Sequence, residues 1–527
     1  MEREFNDTGL CVSNRHYMVD TSKKIESIFR LIEKGKYFTI NRPRQFGKTT
    51  TLSLLDKLLN EKDDYTALKI TFEEINLNAY KEQEFIYELF MMILTRLEFL
   101  NLEKQTLFVE DHLGKITTFP AFSRFITKFI RHMMPDKFVV LMIDEVDKSS
   151  GNQLFLTFLG MLRNKYLQSS EGQDYTFHSV ILAGVHDIKT LKAKLRPDDD
   201  RKYNSPWNIA SDFNVDLSFS SHEIETMLND YSHEKNISPD IRAIAQKLYY
   251  YTSGYPWLVS KLCKLIDENI ITQRKNKNWL AADVEAGFRM IADKAYSATL
   301  FDSLIKNLEN NNDLYELVFQ IIINGRSLDF SIDDPVINLG HLYGILVNSE
   351  RGRCQIHNRI FEQRIYAYMM SKVQRTKSGN VNEYGSPEFY NVSGLDIRLV
   401  LQRFQTFMKE HYSKKDAGFL EREGRLLFLS YLRPIINGRG FDFKEPNVSD
   451  ERRMDIVITY ENQRYVIELK IWHGPKYHQK GLKQLSAYLD TYQLKEGYLL
   501  IYDFNKNKDY KQEQIIFEDK HIFAVWV

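Results

Sequence analysis

The sequence predicts an α/β protein in two parts, a parallel sheet covered by helices and a smaller C-terminal α/β domain. Two observations lead there. Short apolar runs alternate with amphipathic helical patterns through the first 220 residues, the mark of a parallel sheet with helical crossovers. Near the C-terminus, two strand-like runs flank the polar break Glu461-Asn462 and carry acids and a lysine at alternating positions. With 527 residues, 43% apolar and 13% aromatic, the chain has material for three or four packed domains. Its 71 basic residues balance 71 acidic ones, which excludes a protein basic all over but not a local basic groove. Three scattered cysteines, Cys11, Cys263 and Cys354, give neither a disulfide framework nor a zinc spacing. The start MEREFNDTGL has no basic, then apolar, leader pattern, and the most apolar short run is Phe138–Ile143. A membrane helix needs roughly 18 apolar residues. A cytoplasmic protein with no membrane partner is therefore expected.

Taken in order, 36–41 reads as a strand, 49–60 as a helix with leucines at helical spacing, 68–72 as a strand and 82–101 as a long helix. Residues 138–143 and 179–183 read as buried strands around a helix at 154–167. From 221 to 297 the pattern is mostly helical, and a small mixed region runs to 370. Residues 371–394, rich in Ser, Asn and Gly, read as a linker before a domain at 395–527.

The first strand is followed by Asn41-Arg42-Pro43-Arg44-Gln45-Phe46-Gly47-Lys48-Thr49-Thr50. A phosphate loop needs a glycine where phosphate approaches, a lysine for the β- and γ-phosphates and a hydroxyl for Mg²⁺. Gly47, Lys48 and Thr49 supply these between a strand and a helix. The general pattern has another glycine where this chain has Arg42; Arg42 and Arg44 add positive charge. The strand at 138–143 ends in Asp144-Glu145, which delivers two acids to the carboxyl edge of the sheet, where ligands bind. Asp144 is expected to hold Mg²⁺ and Glu145 to polarise the attacking water. His186 and Asp187 are candidates for a γ-phosphate sensor, and Arg163, Arg196 and Arg201 for arginine fingers.

The form RPRxFGKT resembles the loop of bacterial AAA-ATPase-like proteins, which lack the first glycine. The resemblance extends to Asp144-Glu145, to Ser205-Pro206-Trp207-Asn208-Ile209 and to Thr252-Ser253-Gly254-Tyr255-Pro256-Trp257, similar to a lid segment. Leu342–Leu346 with Ile356-His357-Asn358 is similar to the winged-helix end of those ATPases. It implies a P-loop NTPase core over 1–220, a helical lid over 221–297 and a winged-helix-like region over 298–370. ATP is the implied cofactor, with Arg44, Gly47, Lys48, Thr49, Thr50 and Asp144 binding it, Mg²⁺ on Thr49 and Asp144, and homo-oligomers allowed.

In the C-terminal domain, a two-residue turn at Glu461-Asn462 would pair Tyr460 with Gln463 and set Asp455 opposite Glu468, and a one-residue shift would make the pair diagonal but still within reach of a shared ion. Alternation puts Glu468 and Lys470 on one face. Clustered carboxylates favour a divalent cation, Mg²⁺ or Mn²⁺, which stabilises charge at a phosphodiester and acidifies a water. Glu423, on a helix read over 417–432, is a candidate third ligand. Gln484 and Tyr488 share a helix face, with Lys476, His478, Lys480 and Lys483 nearby. The set Asp455…Glu468-x-Lys470 with Gln484-x-x-x-Tyr488 resembles the PD-(D/E)xK nuclease superfamily, whose fold is restriction-endonuclease-like. That resemblance implies catalysis by Asp455, Glu468, Lys470 and Gln484, and metal on Glu423, Asp455 and Glu468. Together the two resemblances imply ATP-controlled hydrolysis of nucleic acid, DNA first, in defence against foreign DNA or in repair. Two rivals stay open. In one, an ATP-driven switch binds DNA or a partner without cutting; in the other, the nuclease acts alone beside an inactive ATPase.

Overall fold

The structure is a computed structural model and describes residues 2–73, 81–149, 152–185, 207–293, 296–322, 328–376, 389–391, 394–411, 427–429, 431–432, 435, 440–443, 456–460, 463–472, 474–503 and 509–527. The chain divides into two units. One comprises Met1–Leu300, Asn338–Leu346 and His357–Ile360; the other comprises Phe301–Ile337, Val347–Ile356 and Phe361–Val527.

In the first unit the elements run α1 (Ser22–Glu33), β1 (Phe38–Asn41), α2 (Lys48–Asn60), β2 (Tyr65–Thr71), α3 (Glu82–Phe99), α4 (Glu103–His112), α5 (Phe119–Lys128), β3 (Phe138–Asp144), α6 (Gln153–Ser170) and β4 (Ser179–Gly184). Among the described residues the α-helices α7 (Ser221–Lys235), α8 (Ile241–Thr252), α9 (Pro256–Leu265) and α10 (Ala281–Ala292) follow. The four strands are all parallel, in the order β1-β4-β3-β2. Beyond β1 the chain adds a single parallel bridge, Phe38 to Ser211, with the Ser211 N–H donating to the Tyr37 carbonyl at 2.8 Å. β3 and β4 are buried along nearly their whole length, as strands covered on both faces must be. Helices α4 and α5 lie outside the elements expected above. Helix α5 forms because Phe119, Phe122, Phe125 and Ile126 bury one stripe of it, with Pro120 in its first turn, against α3.

In chain order there follow α11 (Thr299–Glu309), α12 (Asn312–Ile322), α13 (Pro335–Leu342), β5 (Leu346–Asn348), β6 (Cys354–Ile356) and α14 (Arg359–Thr376). Helix α14 continues to Thr376, past the residue where the sequence pattern suggests a linker begins, because its first glycine is Gly379 and nothing before it breaks a helix. Within the second unit, the Tyr368 hydroxyl donates to Glu309 at 2.7 Å and Lys372 lies 4.5 Å from the Tyr315 ring, tying α14 to α11 and α12. The rest comprises β7 (Tyr390–Asn391), β8 (Gly394–Leu395), α15 (Ile397–His411), β9 (Gly440–Phe443), β10 (Ile456–Tyr460), β11 (Gln463–Ile471), α16 (Pro475–Thr491), β12 (Glu496–Tyr502), β13 (Gln512–Phe517) and β14 (Lys520–Trp526). Six strands form one mixed sheet, β13-β14-β12-β11-β10-β9, in which β11, β12 and β14 are parallel. Leu482, Leu485 and Leu489 of α16 pack on Val466, Leu499, Ile501 and Ala524. By alternation, α15 covers the opposite face, where Arg398 stacks over Phe523 at 5.6 Å.

Candidate functional site

The first unit places its candidate residues where β1 and β3 end, on the carboxyl edge of the parallel sheet. Gly47 adopts φ +82° at the entry to α2, a left-handed turn that favours glycine. The next residue, Lys48, is 7% exposed, and its ammonium donates to the Arg42 and Pro43 carbonyls at 2.9 and 2.8 Å. Burial draws the Lys48 pKa down against the pull of Asp147, Glu145 and Asp144, so all three carboxylates act on this ammonium. Asp144 is 3% exposed and accepts the Glu145 N–H at 3.0 Å. Glu145 sits at φ +56°, a strained position for a non-glycine residue beside a candidate site. Burial raises the Glu145 pKa, with Lys48 opposing and Asp144 and Asp147 adding to the rise. Thr49 stands exposed on the first turn of α2, and Arg44 is also exposed.

One expected role changes. Arg42 turns away from the loop: it donates to the Val215 carbonyl at 2.7 Å and stacks on Phe213 at 5.2 Å, so it braces the fold instead of charging the loop. Thr50 accepts the Cys11 N–H at 3.4 Å, which fastens the N-terminal segment to α2. Arg163 lies half-buried within α6. His186, Asp187, Arg196 and Arg201 lie outside the described residues. Trp207 is buried and donates to Thr39 at 3.1 Å.

Several residues at the site belong to no sequence motif. Asp147 accepts the Val185 N–H, joining the ends of β3 and β4. A Cβ on Gly184 would stand 2.9 Å from Asp147 Oδ1, so glycine permits that approach. The one mark of Asp147 in the sequence is that it is a third acid soon after Asp144-Glu145. The N-terminal segment clasps the helices: Arg3 pairs with Asp230 at 2.6 Å, and Asp7 with Lys261 and Lys264 at 2.6 and 2.9 Å. Asn6, Cys11, Met18, Phe46, Phe219 and Trp257 are among the residues around a mostly apolar pocket that also borders Gly47 and Thr50.

The loop is braced from behind by segments distant in sequence. The Tyr255 hydroxyl donates to the Arg44 carbonyl, and its ring meets Phe46 edge-on at 4.8 Å. His357 packs on Phe46 at 5.8 Å and on Tyr255 at 5.4 Å. Gly344, at φ +69°, lies so near Pro43 that a Cβ would meet Pro43 Cγ at 2.4 Å. Gly344→Ala is expected to cost about 2 kcal/mol or more through overpacking and a disfavoured φ. Denaturant unfolding checks this; an unchanged midpoint would show the contact to be soft.

Burial lowers the His357 pKa from 6.5 to about 4, with Asp216 opposing and His341 adding to the fall. The folded state therefore binds fewer protons than the unfolded state between those values. The stabilisation is full above 6.5 and is lost as pH falls toward 4, at most about 3 kcal/mol. A His357→Gln variant is expected to flatten the melting profile between pH 6.5 and 4.5.

The second unit holds the other candidate cluster. The register Tyr460 to Gln463 and Ile456 to Ile467 is the one a two-residue turn requires. Asp455 and Glu423 lie outside the described residues, and the helix read over 417–432 is described only at 427–429 and 431–432, where it is helical. Glu468 is 0% exposed, in the centre of β11. Lys470 Nζ lies 2.7 Å from Glu468 Oε1 and donates to Gln484 Oε1 at 2.8 Å. The Glu468–Lys470 approach is an ion pair without hydrogen-bond alignment, and neither Glu468 oxygen has a hydrogen-bond partner among the described residues. Gly481 lets the Lys470 stem lie against α16, since a Cβ there would sit 3.4 Å from two of its carbons. Glu468, Lys470 and Gln484 thus come together, while Tyr488 packs among the leucines under α16. Among the described residues no group of three His, Cys, Asp or Glu side chains could hold a metal.

A family model described as an AAA-like domain matches residues 8–363. An uncharacterized WD repeat-containing protein of Synechocystis is 23% identical over 269 residues, 47% of this chain. The match spans only about a fifth, 21%, of that protein's length. Among solved structures, the Walker-type ATPase of Pyrococcus abyssi overlays with TM-score 0.47 and 14% identity, covering 69% of this chain and 99% of its own. The ORC2 protein of Aeropyrum pernix overlays with TM-score 0.36 and 10% identity, over 69% and 98%. No helix among the described residues is long and apolar enough to cross a membrane.

Proposed function

From the premise that this chain belongs to the AAA-like domain family, we propose that its first unit binds and hydrolyses ATP and that its second hydrolyses nucleic-acid phosphodiesters, DNA first, under the control of that ATP. Lys48 meets the β- and γ-phosphates, and backbone N–H groups from Gly47 onward face them. The mostly apolar pocket beside Gly47 takes the purine. Thr49 and Asp144 would hold Mg²⁺, and the raised pKa of Glu145 suits a base that orients the attacking water. Asp147 holds the two strand ends in register around that water.

The observation that carries the nuclease reading is Glu468. Glu468 is a fully buried carboxylate with no hydrogen bond among the described residues, met on one oxygen by the Lys470 ammonium at 2.7 Å, and a divalent cation would offset the several kcal/mol that its remaining desolvation costs. Oxygen donors of this kind fit Mg²⁺ or Mn²⁺, with Asp455 and Glu423 as the remaining proposed ligands. When bound, the metal supplies Lewis-acid stabilisation of the phosphoryl oxygens and a more acidic water. Lys470, fixed by Gln484, holds a positive charge beside the scissile group.

One observation favours the second reading, an ATP-driven switch that binds without cutting: Lys470 itself neutralises Glu468 at 2.7 Å. Incubating the protein with linear and plasmid DNA, with Mg²⁺ or Mn²⁺ or with EDTA, separates the two. Cleavage that needs the cation supports the nuclease. Binding without cleavage under both metals supports the switch.

A further inference from the structure

Helix α16 carries more than Gln484 to the cluster of the second unit. From Pro475 to Leu489 it contains three lysines, Lys476, Lys480 and Lys483, and no acidic residue. All three are exposed, while Leu482, Leu485 and Leu489 are buried on the other side. Positions 476, 480 and 483 are spaced i, i+4, i+7, so they share one side of the helix, with Lys476 and Lys480 about 6 Å apart along its axis. Tyr477, Gly481, Gln484 and Tyr488 follow each other at i, i+4, i+7 and i+11, a second stripe on the flank of the first. That flank is the one against Lys470, since Gln484 accepts its ammonium and Gly481 borders its stem. Tyr477, 55% exposed, therefore continues the line of the cluster toward the start of the helix. Trp472 and His478 do not belong to this surface: their rings pack at 5.7 Å and face Trp526 in the core.

We propose that this part of α16 is a track for a single DNA strand leading to Glu468 and Lys470, with backbone phosphates on Lys476, Lys480 and Lys483 and an unpaired base stacked on Tyr477. The proposal rests on the nuclease reading and narrows its substrate to single-stranded or locally opened DNA. The chemistry favours a single strand for two reasons. A row of lysines follows a phosphate backbone of any sequence, and an exposed ring beside it is of use only to a base whose face is free. Bases in an intact duplex are stacked on one another and offer Tyr477 no face.

The test is fluorescence anisotropy with the full chain in EDTA, which separates binding from cutting. The probes are a labelled 20-mer of oligo(dT) and a duplex of equal length. Tighter binding of the single strand is expected. Tyr477→Ala should weaken it about tenfold, while Tyr477→Phe keeps it. Changing all three lysines to glutamine should reduce the slope of log affinity against log salt by about 2, at roughly 0.7 per phosphate contact. Equal affinity for the two probes, or wild-type binding by both Tyr477→Ala and the triple variant, would overturn the track. That result would leave cation-dependent cutting by wild type, and its loss in Glu468→Gln, untouched. Strand-selective binding that responds to Tyr477 and the lysines would sustain the track even if wild type cut nothing under either metal.

Discussion

Lys48→Ala is expected to lower ATP-dependent phosphate release by at least about a hundredfold, the loss typical when one preorganised donor to a transition state is removed. The ammonium is almost fully buried, held by two loop carbonyls and surrounded by the field of three carboxylates. On the proposed reading, a phosphate bound by the loop would meet an ammonium already held in place. The fold itself should tolerate the change. Removing the lysine leaves the Arg42 and Pro43 carbonyls short of a donor, about 1 kcal/mol each. It also relieves the burial of a charge, so the net shift should stay near 1 kcal/mol. Thermal melting checks the fold and a phosphate-release assay checks turnover. A variant that melts like wild type and still releases phosphate at the wild-type rate would show that Lys48 is not the phosphate ligand.

Glu468→Gln should abolish cleavage and raise stability, and that pairing of effects is the informative part. Glutamine keeps the shape of the side chain and removes a charge that has no exposed surface and no hydrogen bond among the described residues. Lys470 loses an ion-pair partner but keeps Gln484, and its side chain is 17% exposed, so water can complete its shell. The expected gain is about 1–2 kcal/mol, read as a higher urea midpoint, with nuclease activity down at least a hundredfold. A carboxylate kept for structure would behave oppositely: its loss would cost about 3 kcal/mol or more by stranding Lys470. A lower midpoint with cutting intact would therefore assign Glu468 to the ion pair alone.

The sequence made the local parts legible. Strands β1, β3 and β4 announce themselves as short apolar runs, and Gly47-Lys48-Thr49 lies where β1 hands over to α2. The register of β10 on β11 follows from one polar dipeptide, because side chains alternate and a turn of two residues fixes which positions face each other. What was not legible depends on contacts between distant residues. Nothing in the periodicity of residues 338–346 or 356–358 says that Gly344 backs Pro43 or that His357 lies under Phe46. Arg42 reads as loop charge until the fold brings Phe213 and Val215 to it. The clasp of Arg3 and Asp7 on α7 and α9 is polar and aperiodic, so it carries no secondary-structure signal. Asp147 follows two more conspicuous acids, and only the closeness of β4 gives it a partner.

The most direct test of an ATP-controlled nuclease is to follow cleavage and phosphate release together in wild type, Lys48→Ala and Glu468→Gln. The assay holds oligo(dT), Mg²⁺ or Mn²⁺, with and without ATP. The account predicts that wild type cuts at a rate ATP changes, that Lys48→Ala cuts at a rate ATP no longer changes, and that Glu468→Gln releases phosphate without cutting. Phosphate release with no cleavage by wild type under either metal would contradict it, as would cleavage in wild type that ignores ATP.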